Sequence, residues 1–230
     1  MWYVATYVPV SLVSLKLATA TSTGGKALLL PTPYALKMAL LNIIIEDGGV
    51  DAGRVVWDIL RDARVAIRGP KWIAVNNTFT KILKPKKEKP EFDPETGLTR
   101  GMINTIAFRE YVQWQGEFRI AVHVANEDLP WRRWLTQVNY IGKRGGFVQA
   151  VKVPSSMDSL EEGFTELTSA STGFNLFGTM QIMDDCAPGL TFGQVNIYSD
   201  ERVSRVLRHV SVPYRLESSS RGYSLYCRLD

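Results

Sequence analysis

The sequence predicts an α+β fold, with strands in hairpins forming a mostly antiparallel sheet and helices packed mainly on one face. Three observations lead there. The stretch PTPYALKMALLNIII, Pro31 to Ile45, carries the apolar spacing of a helix behind a proline-bracketed start. Residues 106–124 and 210–229 instead carry the period-two alternation of half-buried strands. No linker, internal repeat or low-complexity tract interrupts the 230 residues, which predicts a single domain over 1–230 with one projecting insert.

Taken in order, Trp2, Val4, Thr6 and Val8 alternate with Tyr3, Ala5 and Tyr7, an opening strand within residues 2–17 that is interrupted near Pro9. Residues 18–30 begin as a polar loop holding Gly24, Gly25 and Lys26. A helix follows from about Pro33 to Glu46, because proline is tolerated at the first helical position and Leu36, Leu40, Ile43 and Ile44 then share one face. Lys37 lies off that stripe in the first turn, either solvated or facing a negative group. The helix stops at the glycines of EDGG, and a second is predicted from Asp51, an N-cap, to Arg68, with Val55, Ile59, Ala63 and Ala66 inward.

The strand KWIAVNNTF leads into an insert, 81–101, with three prolines, five lysines, four acids and almost no apolar periodicity. It reads as a long loop or a protruding hairpin. Ile106, Phe108, Val112 and Trp114 share one parity, as do Phe118, Ile120, Val122 and Val124, so the two runs around Gln115-Gly116 predict an antiparallel hairpin. A short helix begins near Pro130, and KRGGFVQAVKV re-enters a strand. Asp158 with Glu161 three residues on has the pattern of a capping box, predicting a short helix with Leu160, Phe164 and Leu167. The remainder is strand-rich, through Val210, Val212, Tyr214 and Leu216 and then Tyr223, Leu225, Cys227 and Leu229.

Composition narrows the function classes. The chain is 45% hydrophobic and 22% charged, ordinary for a folded protein, and its net charge of +4 raises the expectation of a polyanionic partner only modestly. Two cysteines and two histidines, without CxxC or HxxxH spacing, argue against a structural zinc site, and no cofactor motif is present. Neither a signal-peptide pattern nor an apolar run of ~20 residues occurs, so a reduced, cytoplasmic protein with no membrane partner is expected. GxSxG, GxxxxGK[ST], HExxH and GxGxxG are all absent. His123 and His209 remain as candidates for general acid–base chemistry in metal-free RNA cleavage, where the 2′-hydroxyl is the nucleophile; nothing in the spacing favours either.

The basic clusters say more. Arg132, Arg133, Lys143 and Arg144 are interleaved with Trp131, Trp134, Tyr140 and Phe147, a mixture suited to single-stranded RNA, whose phosphates take the charges and whose bases lie on rings. The alternative is a helix with core tryptophans and solvated arginines. Gly142, Gly145 and Gly146 would let backbone amides approach a phosphate. Lys81, Lys84, Lys86, Lys87 and Lys89 could track phosphates from the insert, against the opposing field of Glu88, Glu91, Asp93 and Glu95. Arg202, Arg205 and Arg208, three apart, make a solvated stripe if that segment is helical.

A glycine-bearing loop, a Pro-x-Pro turn and a small, apolar helix in that order resemble the first β-α unit of the repeat-associated RNA-binding proteins of CRISPR systems. PTPYALKMALL is most similar to the Cas-five branch, IGKRGGFVQ (Ile141 to Gln149) resembles another of its segments, and the 81–101 insert falls where that family's thumb is expected. The resemblance spans the first two thirds of the chain. It implies a ferredoxin-like, RNA-recognition-type domain with a basic thumb and a β-rich C-terminal part. It further implies a guide-RNA subunit that binds the 5′ handle of the CRISPR RNA and caps a Cascade effector in antiviral defence. The expected partners are CRISPR RNA, backbone and large Cascade subunits and, through the complex, target DNA. On this reading the RNA-binding residues are Lys26, Lys37, Lys84, Lys86, Lys87, Arg132, Arg133, Lys143, Arg144 and Gly145, with no catalytic residue, metal or cofactor. A terminal glycine-rich loop of the kind found in the dedicated CRISPR RNA endonucleases is missing. A metal-independent endoribonuclease using His123 or His209 is the competing reading, and a protein-only scaffold subunit the third.

Overall fold

Strands β1 (Trp2–Pro9) and β2 (Gly24–Gly25) precede the helical segment α1 (Pro33–Asp62) in this computed structural model, which describes residues 1–17, 24–85, 91–169, 177–196, 201 and 203–229. Thr32 caps α1, its hydroxyl accepting from the Ala35 amide at 3.1 Å, and Pro33 occupies the first turn. The predicted stripe of Leu36, Leu40, Ile43 and Ile44 is buried. At Gly49 the backbone leaves the helix with φ 80°, so α1 is two arms. The arms fold back on one another: a side chain at Gly53 would collide with Ile45, and Lys37 near the start of the first arm reaches the Arg61 carbonyl at the end of the second.

The second arm ends at Asp62, not Arg68. Strand β3 (Arg64–Arg68) follows, with Val65, Ala66 and Ile67 buried between two neighbouring strands. The inward residues of the second arm are Val56, Trp57 and Leu60, and Val55 is 78% exposed, so the apolar stripe sits one position from the expected one. Trp57 anchors it, donating its indole N–H to the Leu190 carbonyl.

Strands β4 (Trp72–Pro85) and β7 (Met102–Gln115) pair antiparallel along their whole length, and the small hairpin β5 (Glu91–Asp93) with β6 (Leu98–Arg100) lies between them in the chain. Gly116, with φ 97°, then turns the chain into β8 (Phe118–His123). The 106–124 hairpin does not form. β7 pairs with β4 and β2, whereas β8 pairs with β1 and β3, so the turn crosses from one sheet to another. Shared parity was right on both sides of the turn, but parity cannot say which strand lies opposite.

Helix α2 (Trp131–Gln137) buries Trp131 and Trp134 edge-to-face, with ring centres 5.2 Å apart. Strands β9 (Val148–Ala150) and β10 (Ser155–Met157) both return to β1, and β11 (Thr165–Glu166) pairs with β3. The predicted helix at 158–167 is absent. Glu161 is held by Arg119 at 2.6 Å instead of closing a capping box, and Gly163 takes φ 89°. That segment lays Leu160 and Phe164 over Trp2, Val4, Ala66 and Ala121, covering the second face of the sheet. The chain closes with β12 (Thr179–Cys186), a short 3₁₀ turn at Gly193–Val195, β13 (Arg205–Val212), β14 (Tyr214–Ser219) and β15 (Tyr223–Arg228).

The first sheet has the order β10–β1–β8–β3–β11, with β9 also on β1; the second runs β14–β15–β4–β7–β2; β12 and β13 form a separate pair. Pairing is antiparallel throughout except for β2 against β7, as the expected mostly antiparallel α+β fold requires. One core joins α1, α2, Tyr3, Ala5 and Tyr7 of β1, the inner half of the β4–β7 hairpin and Met183, Val210 and Val212. Among the described residues no helix is long and apolar enough to cross a membrane.

Candidate nucleic-acid interface

The predicted basic residues fall in four different environments. Lys37 is not at a surface. Its side chain is 2% exposed, its ammonium donates to Asp185 Oδ1 at 2.8 Å and to the Arg61 carbonyl at 2.7 Å, and Arg208 binds the other Asp185 oxygen at 3.0 Å. The Cys186 amide also donates to Asp185. This network ties both arms of α1 to β12 and β13, and a cation at the end of the second arm meets the negative end of its dipole. Lys37 is therefore corrected from an RNA contact to a core ion pair.

Arg132 and Arg133 stand on α2, the former donating to Ser156 Oγ at 2.7 Å and the latter paired with Asp47. The tryptophans on either side of them point inward and offer no face for a base; Trp131 and Trp134 donate their indole N–H groups to the Asn126 carbonyl and Asp47. Lys26 and Lys84 belong to the second sheet, where Lys26 pairs with Glu110 at 2.6 Å and Lys84 is half-buried on β4. Lys86 and Lys87 lie outside the described residues, as does Arg202.

Lys143, Arg144 and Gly145 stand in a tight loop. The Ile141 amide donates to the Gly146 carbonyl at 3.0 Å, and the Gly145 carbonyl accepts from the Ser11 hydroxyl. Gly142 and Gly145 have φ 76° and 109°, conformations that disfavour any other residue, and a side chain at Gly142 would also strike Leu15. The loop borders a cavity of about 430 Å³ that brings Lys143 together with Lys16, Tyr34 and Arg205 at the start of α1. A second cavity of about 750 Å³ shares Lys16, Asp184 and Arg205 and runs on beneath Leu207. The two share residues as parts of one cleft, whose lining among the described residues holds three cations and a single carboxylate, Asp184, which Arg205 binds at 2.8 Å. Arg205 also lies 3.9 Å over the Tyr34 ring. Burial raises the Tyr34 phenol, and Arg205 works against that rise.

Sequence reasoning missed Lys16, Tyr34 and Arg205. The arginines at 205 and 208 are not a helical stripe but lie on strand β13, where one enters the cleft and the other the core. Arg132 and Arg133 do not join this cleft. Asp47, the partner of Arg133, is twelve residues along the first arm of α1 from Ala35, or about 18 Å at 1.5 Å per residue.

The two histidines are not brought together. His209 is exposed on β13, opposite Ile182. His123 borders a cavity of about 360 Å³ with Asp58, Asp62 and Arg64, packs edge-on against Trp2, and is held below its ordinary pKa by burial, then by the Met1 amine and Arg64. The acids nearby are already paired, Asp58 and Asp62 with Arg61, Glu166 with Arg64 and Glu127 with the Met1 amine. Cys186 is a free, buried thiol that burial pushes up to about 11. Among the described residues no group of three His, Cys, Asp or Glu side chains is set to hold a metal ion.

No family profile matches the chain. Over 114 residues it is 29% identical to CRISPR-associated protein Cas5 of Archaeoglobus fulgidus, a match covering 49% of this chain and 46% of that protein. The chain thus spans about half the length of the curated relative it matches. A crystal structure of a CRISPR protein from Archaeoglobus fulgidus aligns with 100% of this chain and 92% of its own, at TM-score 0.48 and 13% identity, which is too distant to carry an argument. The similarity is to a Cas5 protein, the branch that PTPYALKMALL also resembles.

Proposed function

We propose that this chain binds the 5′ handle of a CRISPR RNA and caps a Cascade effector beside its backbone and large subunits, touching target DNA only through that complex. Its work is positioning, since in such assemblies base pairing reads the target while protein holds the guide backbone. The observation that carries this reading is the cleft in which Lys16, Lys143 and Arg205 converge at the start of α1, with glycine-shaped backbone on one wall. Cations and positive-φ turns together suit phosphate oxygens. The similarity to a Cas5 protein supports CRISPR RNA as the class of RNA. The order β1, α1, β3, β8, α2, β9, with β9 and β8 flanking β1 and β3 beyond β8, supports a ferredoxin-like unit into which β4 to β7 are inserted as a thumb. The two histidines lie apart, His123 on β8 and His209 on β13, which favours binding over an endoribonuclease that uses both.

The test is co-purification. Expressed with a CRISPR array and its partner subunits, the chain should carry RNA of one uniform length whose 5′ end is protected from nuclease. A complex that assembles without RNA, or leaves the 5′ end open to digestion, counts against the reading.

A further inference from the structure

We propose that Phe79 and Phe108, an exposed cross-strand pair on the long hairpin, form a stacking platform for unpaired bases of single-stranded RNA, with Lys26 and Lys81 taking the phosphates on either side. This rests on the RNA-binding reading above and adds a second contact region to it.

The two rings are direct partners in the β4–β7 register and meet edge-to-face, with centres 5.1 Å apart and planes at 71°. They are 54% and 60% exposed, so each leaves a large part of its ring in water. Further in, the same face is core, with Ile73 opposite Trp114 and Val75 opposite Val112. The pair therefore sits where the covered half of the hairpin ends.

The groups around the rings choose the occupant. One step inward on the same face Asn77 faces Glu110, and Lys26 reaches Glu110 with 72% of its side chain exposed. One step outward Lys81 faces Ile106. Glu110 and Ile106 are four residues apart, so the two lysines bracket the rings over roughly 14 Å at ~3.4 Å per residue. The Glu110 carboxylate is matched by Lys26 and by the Ala27 amide at 2.8 Å, which leaves it little field to repel an anion. A cavity of about 150 Å³ beside Phe108 is lined by Lys26, Asn77 and Arg109. Rings between cations, beside a carboxamide, are what single-stranded nucleic acid uses, because every base has a face to stack and every linkage a charge. Leu83, Ile106 and Met102 continue an apolar surface outward, so a protein is the competing occupant; the cations at the rings favour the polyanion.

The test uses the full chain and a short single-stranded RNA carrying the fluorescent base 2-aminopurine. Wild type should quench the probe. Phe79→Leu with Phe108→Leu keeps apolar side chains at exposed sites and removes the rings. It should lose the quenching and bind about 5- to 150-fold more weakly for each base unstacked, with an unchanged salt slope. Phe79→Tyr with Phe108→Tyr should restore both. Equal affinity and quenching in the Leu variant, while wild type binds RNA, overturns the platform and leaves the RNA-binding reading standing. A Tyr variant as weak as the Leu variant also overturns it, since stacking is then not the cause. Loss of a partner subunit with quenching intact overturns it in favour of a protein-docking face. No RNA binding by wild type overturns both readings.

Discussion

Asp184 and Asp185 are neighbours on β12 whose side chains point to opposite sides of the strand, and the two sides have different jobs. Asp185 is 3% exposed and holds Lys37 and Arg208 in a network that joins the helical arms to the β12–β13 pair. Asp184 is 15% exposed and holds Arg205 at the edge of an open cleft. Inward, Lys37 and Arg208 each hold one oxygen of the same carboxylate, with little water. Outward, among the described residues, three cations line the cleft with one carboxylate. A single residue step separates a charge pair that keeps the fold together from one that shapes a binding surface.

Making the same chemical change at both positions sharpens this contrast. Asp185→Asn leaves the Lys37 ammonium buried without its counter-charge and should cost about 3–5 kcal/mol in denaturant unfolding. Asp184→Asn should cost at most about 1 kcal/mol, because its partner is partly solvated. It should also tighten RNA binding, since it removes the cleft's carboxylate. Equal costs at the two sites would end the comparison.

A smaller effect is expected at the cavity beside His123. Burial lowers the His123 pKa from its ordinary value of 6.5, with the Met1 amine and Arg64 adding to the shift and Glu166 and Glu127 opposing it. The unfolded chain then binds the proton more readily than the folded one. The contribution to stability is complete above about pH 6.5 and is lost as pH falls below it, through the lowered folded value. His123→Gln should flatten stability between neutral and mildly acidic pH. An unchanged pH profile in thermal melts would contradict the assignment.

Much of the fold was legible in local patterns. The first arm of α1 followed from Thr32, Pro33 and the stripe at Leu36, Leu40, Ile43 and Ile44, all features within a few residues of each other. The Gly49 break followed from glycine chemistry alone. What local pattern could not show was partnership. The negative group that Lys37 faces has no local signature because Asp185 is 148 residues away, and β7 and β8 share a parity but not a sheet. Glu161 fitted a capping box until Arg119, 42 residues earlier, took its carboxylate. The cleft was hidden for the same reason: the KRGG loop was visible, but Lys16, Tyr34 and Arg205 reach it only through the tertiary fold. Extending the strand pattern of Val210 and Val212 back toward Arg205 would have placed that arginine on a strand rather than a helical stripe.

The most direct test of the central claim, that the cleft holds RNA phosphates, is a titration of wild type and of Lys16→Ala with Lys143→Ala against 5′-handle RNA at several salt concentrations. Both lysines border the cleft without any ion pair shown among the described residues, so folding stability should change by no more than about 0.5 kcal/mol. Losing two phosphate contacts should lower the magnitude of the log–log salt slope by roughly 1.4, at about 0.7 per contact on a single strand, with little change in sequence preference. Arg132→Ala with Arg133→Ala, on α2 beside the far stretch of the first arm of α1, should leave the slope as it is. A Lys16 and Lys143 variant with an undiminished slope would contradict the claim and remove the cleft from the RNA path.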